Sequence, residues 1–516
     1  MLTTIEKLQK AGFGERVFID KDLGLLFGGS PARRYALVNK ILSRGEIVRV
    51  RRGIYVLAEQ YRTVNLNPFF LANRTVSGSY VSFESALEYH GWITKKEPTV
   101  VVTSVIYSGR TRDFHTHLGE FKYVFLPVND LEFLSGVSRQ TVEGQPYMIA
   151  KPLRALADYV YNRKIKWTGI DFLLQKLHLE EGELLALTQE DFQEVLPIFR
   201  SKRVLSFLQN LQTEIIPKTP TKKIGKAGDD KSSLLNKLEL PTTHPKSSAA
   251  EQDVLKDIWP KIIVNGLYEG NFFHEAFFNG GTCLRFIHKI PRFSDGLDFM
   301  LKQPDPNFRW QHYQKAIENA CKQYGILLKI KDRSELNRRS VQQRFVKEKS
   351  IGKLLEMSFK HYPSNKSTLK LEIDINPPAG SLTQMKFLDF PTEFSVDFQD
   401  LPSQFAGKCH ALLCRKVMKG RDWYDFIWFI NQKVVPNLHL LSNAINQHGP
   451  WAKQHLQVTP IWYINTLKEK IKTVDWEAAK KEVSPFLEEP EKKNLMGWNK
   501  DFFDKHLEKL KKLLGR

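Results

Sequence analysis

Gly280-Gly281-Thr282 is followed within twenty residues by Arg292, Ser294, Asp295 and Asp298, a spacing that suits phosphate chemistry. Small residues let a backbone turn present its N–H groups to a phosphate. Carboxylates on an adjacent strand can hold Mg2+, which bridges phosphate oxygens and activates an attacking hydroxyl. The pattern predicts a turn at 280–282, a short helix over Cys283–His288 and a strand over Phe293–Met300 bearing Asp295 and Asp298. A second strand is predicted at Thr368–Pro378. Its alternation puts Lys370, Glu372, Asp374 and Asn376 on one face and Leu369, Leu371, Ile373 and Ile375 on the other. Glu372 and Asp374 thereby join Asp295 and Asp298 as candidate metal ligands. Farther on, Lys408, Arg415, Lys419 and Arg421 are cations suited to neutralising a triphosphate. Asp422 and Asp425 lie three apart and share a helix face, where one could orient a lysine or contact base or ribose. Together these residues would suit nucleotidyl transfer from an NTP with Mg2+. The plainer alternative is a tight turn, an edge strand and a solvated basic helix.

These residues lie in the second half of a 516-residue chain, long enough for several domains. The formal charge of +20 points to a polyanionic partner. No run approaches the ~20 apolar residues that span a bilayer, and the first twelve residues lack the apolar core of a signal peptide. The four cysteines, Cys283, Cys321, Cys409 and Cys414, show no CxxC spacing. They are expected to be reduced packing residues of a cytoplasmic protein with no membrane partner. Residues 216–248 are rich in Pro, Gly, Ser, Thr and Lys and read as a flexible linker.

Ahead of the linker, residues 1–58 read as three helices and a strand pair, the order of a winged helix-turn-helix. Ser30-Pro31 is a helix start, Leu37, Val38, Ile41 and Leu42 form an apolar face, and Gly45 stops the helix. A hairpin is expected over 46–57, turning at Arg51 to Gly53. Arg33, Arg34, Tyr35, Asn39 and Lys40 on the helix, with Arg49, Arg51 and Arg52 on the hairpin, are candidate DNA contacts. An ordinary amphipathic helix with a charged face is the alternative. Residues 59–215 read as a mixed α/β domain, with strands at Thr99–Val105 and Phe121–Leu126 and helices at Ser82–His90, Pro152–Asn162 and Thr188–Phe207. Residues 249–435 hold the phosphate-chemistry segment. The Lys-rich tail, 436–516, is expected to be helical, either packing as a bundle or extending a nucleic-acid surface.

Two resemblances follow. Gly280-Gly-Thr282, Arg292-Phe-Ser294, Glu372-Ile-Asp-Ile-Asn-Pro-Pro378 and Ala406-Gly-Lys408, then Lys419-Gly-Arg-Asp-Trp-Tyr-Asp425, stand in order. Through them residues 255–432 resemble the AbiEii toxin family of the DNA polymerase beta-like nucleotidyltransferase superfamily. That likeness implies that Gly281 and Thr282 contact phosphate, Asp298 binds metal, Asp374 is the strand carboxylate, and Lys408 and Asp422 complete the site. The implied acceptor is RNA, such as the 3′ end of tRNA. One position departs from the family. Its acidic strand carries two Asp residues two apart, but here Gly296 stands at the first of them. A bulge at the glycine would turn Asp295 inward. A regular strand would leave one metal ligand missing and a degenerate, nucleotide-binding domain. In the first half, Ser30-Pro-Ala-Arg-Arg-Tyr-Ala-Leu-Val38, Arg49-Val-Arg-Arg-Gly-Ile-Tyr55, Tyr80-Val-Ser-Phe-Glu-Ser-Ala-Leu87 and Ala150-Lys-Pro-Leu-Arg-Ala-Leu156 resemble AbiEi-type antitoxins over residues 1–210. This implies a winged helix that binds operator DNA and a domain that counteracts a toxin. The expected whole is a multidomain α+β toxin–antitoxin fusion for phage defence, with the antitoxin half restraining the toxin half intramolecularly.

Overall fold

The computed structural model describes residues 3–94, 101–129, 132–216, 248–332, 352–360 and 367–515. Nearly all of the predicted linker, 217–247, lies outside the described residues. The chain divides into two units. One is Met1–Gly266 with Ala316–Leu327 and Leu388–Phe394; the other is Leu267–Lys315, Leu328–Phe387 and Ser395–Arg516.

The first unit begins with helices α1 (Thr4–Lys10), α2 (Asp20–Phe27) and α3 (Pro31–Ser43) and strands β1 (Phe18–Ile19), β2 (Ile47–Arg51) and β3 (Ile54–Leu57). The Ser30 hydroxyl accepts the Arg33 N–H at 3.3 Å, and Pro31 opens α3 where no N–H is needed. Val38 and Ile41 are buried, and Gly45 ends the helix at φ +65°, a conformation glycine adopts without strain. The expected hairpin forms, with a bulge between Arg49 and Arg51. It gains a strand that alternation did not reveal: β1 pairs with β3, Phe18 opposite Tyr55. Two residues are too few to show a period.

Next come α4 (Pro68–Thr75), β4 (Ser79–Val81), α5 (Phe83–Tyr89), β5 (Val101–Ile106), β6 (Arg112–Thr116), β7 (Gly119–Phe125), β8 (Val137–Val142), β9 (Gln145–Ala150) and α6 (Pro152–Asn162). Among the described residues β4–β9 form a six-stranded sheet in the order β6-β7-β5-β4-β9-β8. Helices α7 (Ile170–Lys176), α8 (Glu181–Leu185), α9 (Gln189–Val195) and α10 (Lys202–Ile215) follow. The single helix expected over Thr188–Phe207 is therefore two. Pro197 sits in a 3-10 turn between them, because proline lacks the N–H that would continue the helix.

The second unit is built on β10 (Ala276–Asn279), β11 (Gly296–Leu301), β12 (Leu327–Asp332), β13 (Gly352–Lys360), β14 (Ser367–Asp374), β15 (Thr383–Leu388) and β16 (Phe394–Gln399). The sheet order is β12-β13-β14-β11-β10-β16-β15. Its helices are α11 (Ser248–Glu269), α12 (Gly280–His288), α13 (Gln311–Gln323), α14 (Leu401–Cys414), α15 (Gly420–Asn431), α16 (Leu438–Gln447), α17 (Pro460–Lys472), α18 (Trp476–Val483), α19 (Glu489–Lys492) and α20 (Lys500–Leu514), of which α11 and α13 run across the boundary between the units. Leu297, Phe299 and Leu301 on β11 and Leu371 and Ile373 on β14 are buried, so the alternation read from sequence is kept. The tail does not stand apart from the helices before it. Trp423 on α15 meets Phe503 on α20 at 5.2 Å, Trp476 stacks on Phe503 at 4.0 Å, and all three join one core. Gly420 passes so close to the Ala479 carbonyl on α18 that a Cβ there would overlap it. No helix among the described residues is long and apolar enough to cross a membrane, and none of the four cysteines, all buried, is in a disulfide.

Candidate active site

The Gly-Gly-Thr turn forms where β10 gives way to α12. Gly280 adopts φ +76°, and a Cβ on it would overlap the Asp298 carboxylate, so glycine is required twice over. A Cβ on Gly281 would come within 2.9 Å of the Arg292 guanidinium and 3.0 Å of Ser294 Oγ. The buried Thr282 hydroxyl donates to the Gly296 carbonyl, tying the turn to the start of β11.

Asp298 lies in the middle of a row across three strands. Asn279 on β10 is its partner on one side, and Glu372 on β14 its partner on the other. Register partners share a face. Burial pushes the Asp298 carboxyl above the ordinary carboxylate range and the Glu372 charge adds to this, while Lys408 and Arg415 pull it back. Asp374 falls one pleat farther along, opposite Met300, and accepts the Asn376 N–H at 2.9 Å. Burial raises its pKa.

Gly296 to Met300 pair with Lys370 to Asp374 without interruption, so no bulge turns Asp295 inward. Asp295 precedes the strand, is exposed, and accepts from Arg421 at 2.9 Å. Burial of its surroundings opposes its charge, but Arg421 and Lys419 hold its pKa below the usual range. A Cβ at Gly296 would stand 3.1 Å from the Lys370 carbonyl.

The cations and the two later aspartates form a second cluster on α14 and α15. Lys408 Nζ donates to Asp422 Oδ1 at 3.0 Å and meets Asp425 Oδ2 at 2.8 Å. Arg415 holds the other Asp422 oxygen at 2.6 Å. Burial would raise the Asp422 pKa, yet Lys408 and Arg415 hold it at about 2. Lys408 is kept charged against burial by Asp425 and Asp422. Half-buried Lys419 is pushed down by burial and by Arg415 and Arg421. Arg421 is held by Glu482 at 3.1 Å and lies over the Phe486 ring at 4.0 Å. Arg292 is buried, with Nε and NH2 on the two Asp425 oxygens at 2.5 and 2.6 Å.

Two of these residues, Asn279 and Glu482, carry no local mark in the sequence, and a third, Asp425, shows only part of its role there. Asn279 adjoins the glycines, but only strand register shows that it flanks Asp298. Asp425 was visible as a helix-face neighbour of Asp422, not as the partner of Arg292. Glu482 lies in the tail, where nothing local marks it.

Mg2+ is the group this chemistry implies. Among the described residues no set of three or more His, Cys, Asp or Glu is placed to hold a metal. Asp298 and Glu372 are nevertheless a like-charged pair in register, and buried Asn279 Oδ1 beside them has no hydrogen-bond donor among the described residues. Two carboxylates and an amide oxygen fit a Mg2+ that takes its other ligands from substrate phosphates and water.

In the first unit, Arg33, Tyr35, Lys40, Arg49 and Arg52 are exposed, and Asn39 is half-buried. Arg34 is buried and donates to the Gly29 carbonyl at 2.7 Å and to Asp20. Arg51 is half-buried and lies over the Phe114 ring at 5.2 Å. Helix and hairpin therefore present part of the basic set and fold the rest inward.

No curated protein matches the chain. A crystal structure from H. pylori described as a nucleotidyltransferase is similar to it at 18% identity, covering 50% of this chain and 98% of its own, with a TM-score of 0.28. Residues 262–504 match the family model described as "Nucleotidyl transferase AbiEii toxin, Type IV TA system", and that C-terminal region is of the AbiEii nucleotidyltransferase toxin family.

Proposed function

We propose that the C-terminal region transfers a nucleotide from an NTP to an RNA acceptor, with the 3′ end of tRNA as the acceptor the AbiEii likeness implies. One observation carries this reading. Asp298 sits between Asn279 and Glu372 beside the Gly280–Thr282 turn, within electrostatic reach of Lys408 and Arg415. The turn offers N–H groups to the triphosphate. Lys408 and Arg415 neutralise it, and Asp422 holds both cations in place. The acceptor hydroxyl oxygen bonds to the α-phosphorus, the bond to the bridging oxygen breaks, pyrophosphate leaves, and the hydroxyl proton passes to water. Asp298 and Glu372 would hold Mg2+, which when bound would supply charge neutralisation on the phosphate oxygens. In this reading the N-terminal half binds operator DNA through Arg33, Tyr35, Asn39, Lys40, Arg49 and Arg52, and restrains the toxin region in the same chain.

The second reading is a degenerate region that binds NTP without turnover. It is favoured by Gly296 on an unbulged strand and by the pairing of Asp295 with Arg421. The full chain, incubated with total tRNA and each labelled NTP in turn, separates the two. Incorporation that Asp298→Asn abolishes is expected. Binding of trinitrophenyl-ATP with no incorporation from any NTP establishes the second reading instead.

A further inference from the structure

By sequence Arg292 belongs with the candidate nucleotide-binding residues near the Gly-Gly-Thr turn, but its guanidinium is already committed. Both its Nε and NH2 donate to Asp425, and NH1 donates to the Phe293 carbonyl at 3.0 Å. Arg292 is 2% exposed and Asp425 0%. A planar fork on a carboxylate is a rigid joint. Each end of this joint touches a different part of the candidate site. On one side the guanidinium lies directly against Gly281, leaving no room for a Cβ. On the other, Asp425 Oδ2 also holds Lys408 Nζ at 2.8 Å. Lys408 carries three donors. Asp425 and Asp422 take two, which leaves one for a further acceptor. A buried ion pair is a poor device for stability alone, since apolar side chains of the same volume often do as well.

We infer that Arg292 and Asp425 are positioning residues, a buried brace that holds the Lys408 ammonium and the Gly280–Thr282 turn at a fixed separation so that both engage one triphosphate. The inference rests on the nucleotidyl-transfer reading for its purpose, but its geometry can be tested apart from activity. A misplacement of about 1 Å in a site of this kind costs on the order of 100-fold in rate.

The test uses the full chain with Asp425→Asn, Arg292→Lys and Arg292→Gln. Competitive acetylation of Lys408 across pH, followed by peptide mass spectrometry, reads the ammonium directly. Asp425→Asn is expected to lower the Lys408 titration midpoint by about one pH unit or more. It is expected to cut kcat for nucleotide incorporation about 100-fold while KM for the NTP moves less than about threefold. Arg292→Lys, which keeps the charge and loses the fork, should recover part of the rate that Arg292→Gln loses. A rise in KM with kcat unchanged in the Arg292 variants would make Arg292 an NTP ligand and overturn the brace. So would an unchanged Lys408 midpoint in Asp425→Asn, whether or not that variant is less stable. If the wild-type chain incorporates no nucleotide, the transfer reading fails on its own, and the Lys408 midpoint together with trinitrophenyl-ATP binding still decides the brace.

Discussion

Among the described residues, each unit has an arginine–aspartate pair with both side chains no more than 2% exposed, and the two pairs are built differently. In the first unit Arg154 and Asp158 lie one turn apart on α6, both fully buried, with Nε to Oδ1 at 3.0 Å. Tyr80 and Ser82 donate to Asp158 at 2.9 and 2.8 Å, and Arg154 donates to the Ser135 carbonyl at 2.7 Å. Every neighbour in that set is a neutral group that ends the network. In the second unit Arg292 and Asp425 come from distant segments. Asp425 passes the connection on to Lys408, then Asp422, then Arg415, whose side chain is 43% exposed. The first network is closed and satisfied, as a structural core feature must be. The second opens toward solvent through a chain of charges, the arrangement expected where a charged substrate is to be met.

The contrast can be broken in order of effect. Arg154→Met leaves Asp158 buried without its counter-charge and should cost about 3–5 kcal/mol of stability. Urea denaturation would read this, and incorporation per folded molecule should be unchanged; a lost rate with intact stability would show that the closed network is not purely structural. Next is acid sensitivity. Asp422 is held at about 2, below the ~3.9 of an unfolded aspartate, so it contributes stability that is complete above pH ~4. That contribution, about 2–3 kcal/mol, fades as pH falls through about 2, because the unfolded chain takes up the proton first. Asp422→Asn should flatten the low-pH limb of the urea-stability profile, and an unaltered limb would deny the network its electrostatic role. Gly296→Asp places a carboxylate beside Asp298 at the cost of a 3.1 Å approach to the Lys370 carbonyl. It should tighten Mg2+ binding about tenfold, or about 1.4 kcal/mol, by calorimetry; weaker binding would mean the row Asn279–Asp298–Glu372 is already complete. The smallest effect is expected from Ser82→Ala. Asp158 keeps Tyr80 and Arg154, so the loss should be about 1 kcal/mol in the same denaturation assay.

Much of this was legible in residues that act locally. The Gly280–Thr282 turn, the alternation of Leu369 to Ile375, the Ser30-Pro31 helix start and the Ile47–Leu57 hairpin depend on neighbours within a few positions. Residues whose roles depend on distant partners were less legible. Arg34 belongs to a basic helix by sequence, yet its side chain turns inward to Gly29 and Asp20. The Lys-rich tail reads equally as bundle or binding surface, and its aromatic residues join the core around Trp423.

The available chemistry is written in short stretches of residues: glycines at a strand-to-helix turn, carboxylates on alternating strands, and lysine and arginine near paired aspartates. Those features arise from backbone sterics and side-chain period, which a short window contains. Which of these groups meet depends on how distant segments pack. That packing sets Asp298 between Asn279 and Glu372, leaves Asp374 a pleat away, turns Asp295 to Arg421 and binds Arg292 to Asp425. Register between strands and the docking of α15 are settled by burial across the whole unit, and a shift of one residue would have carried every carboxylate to the other face.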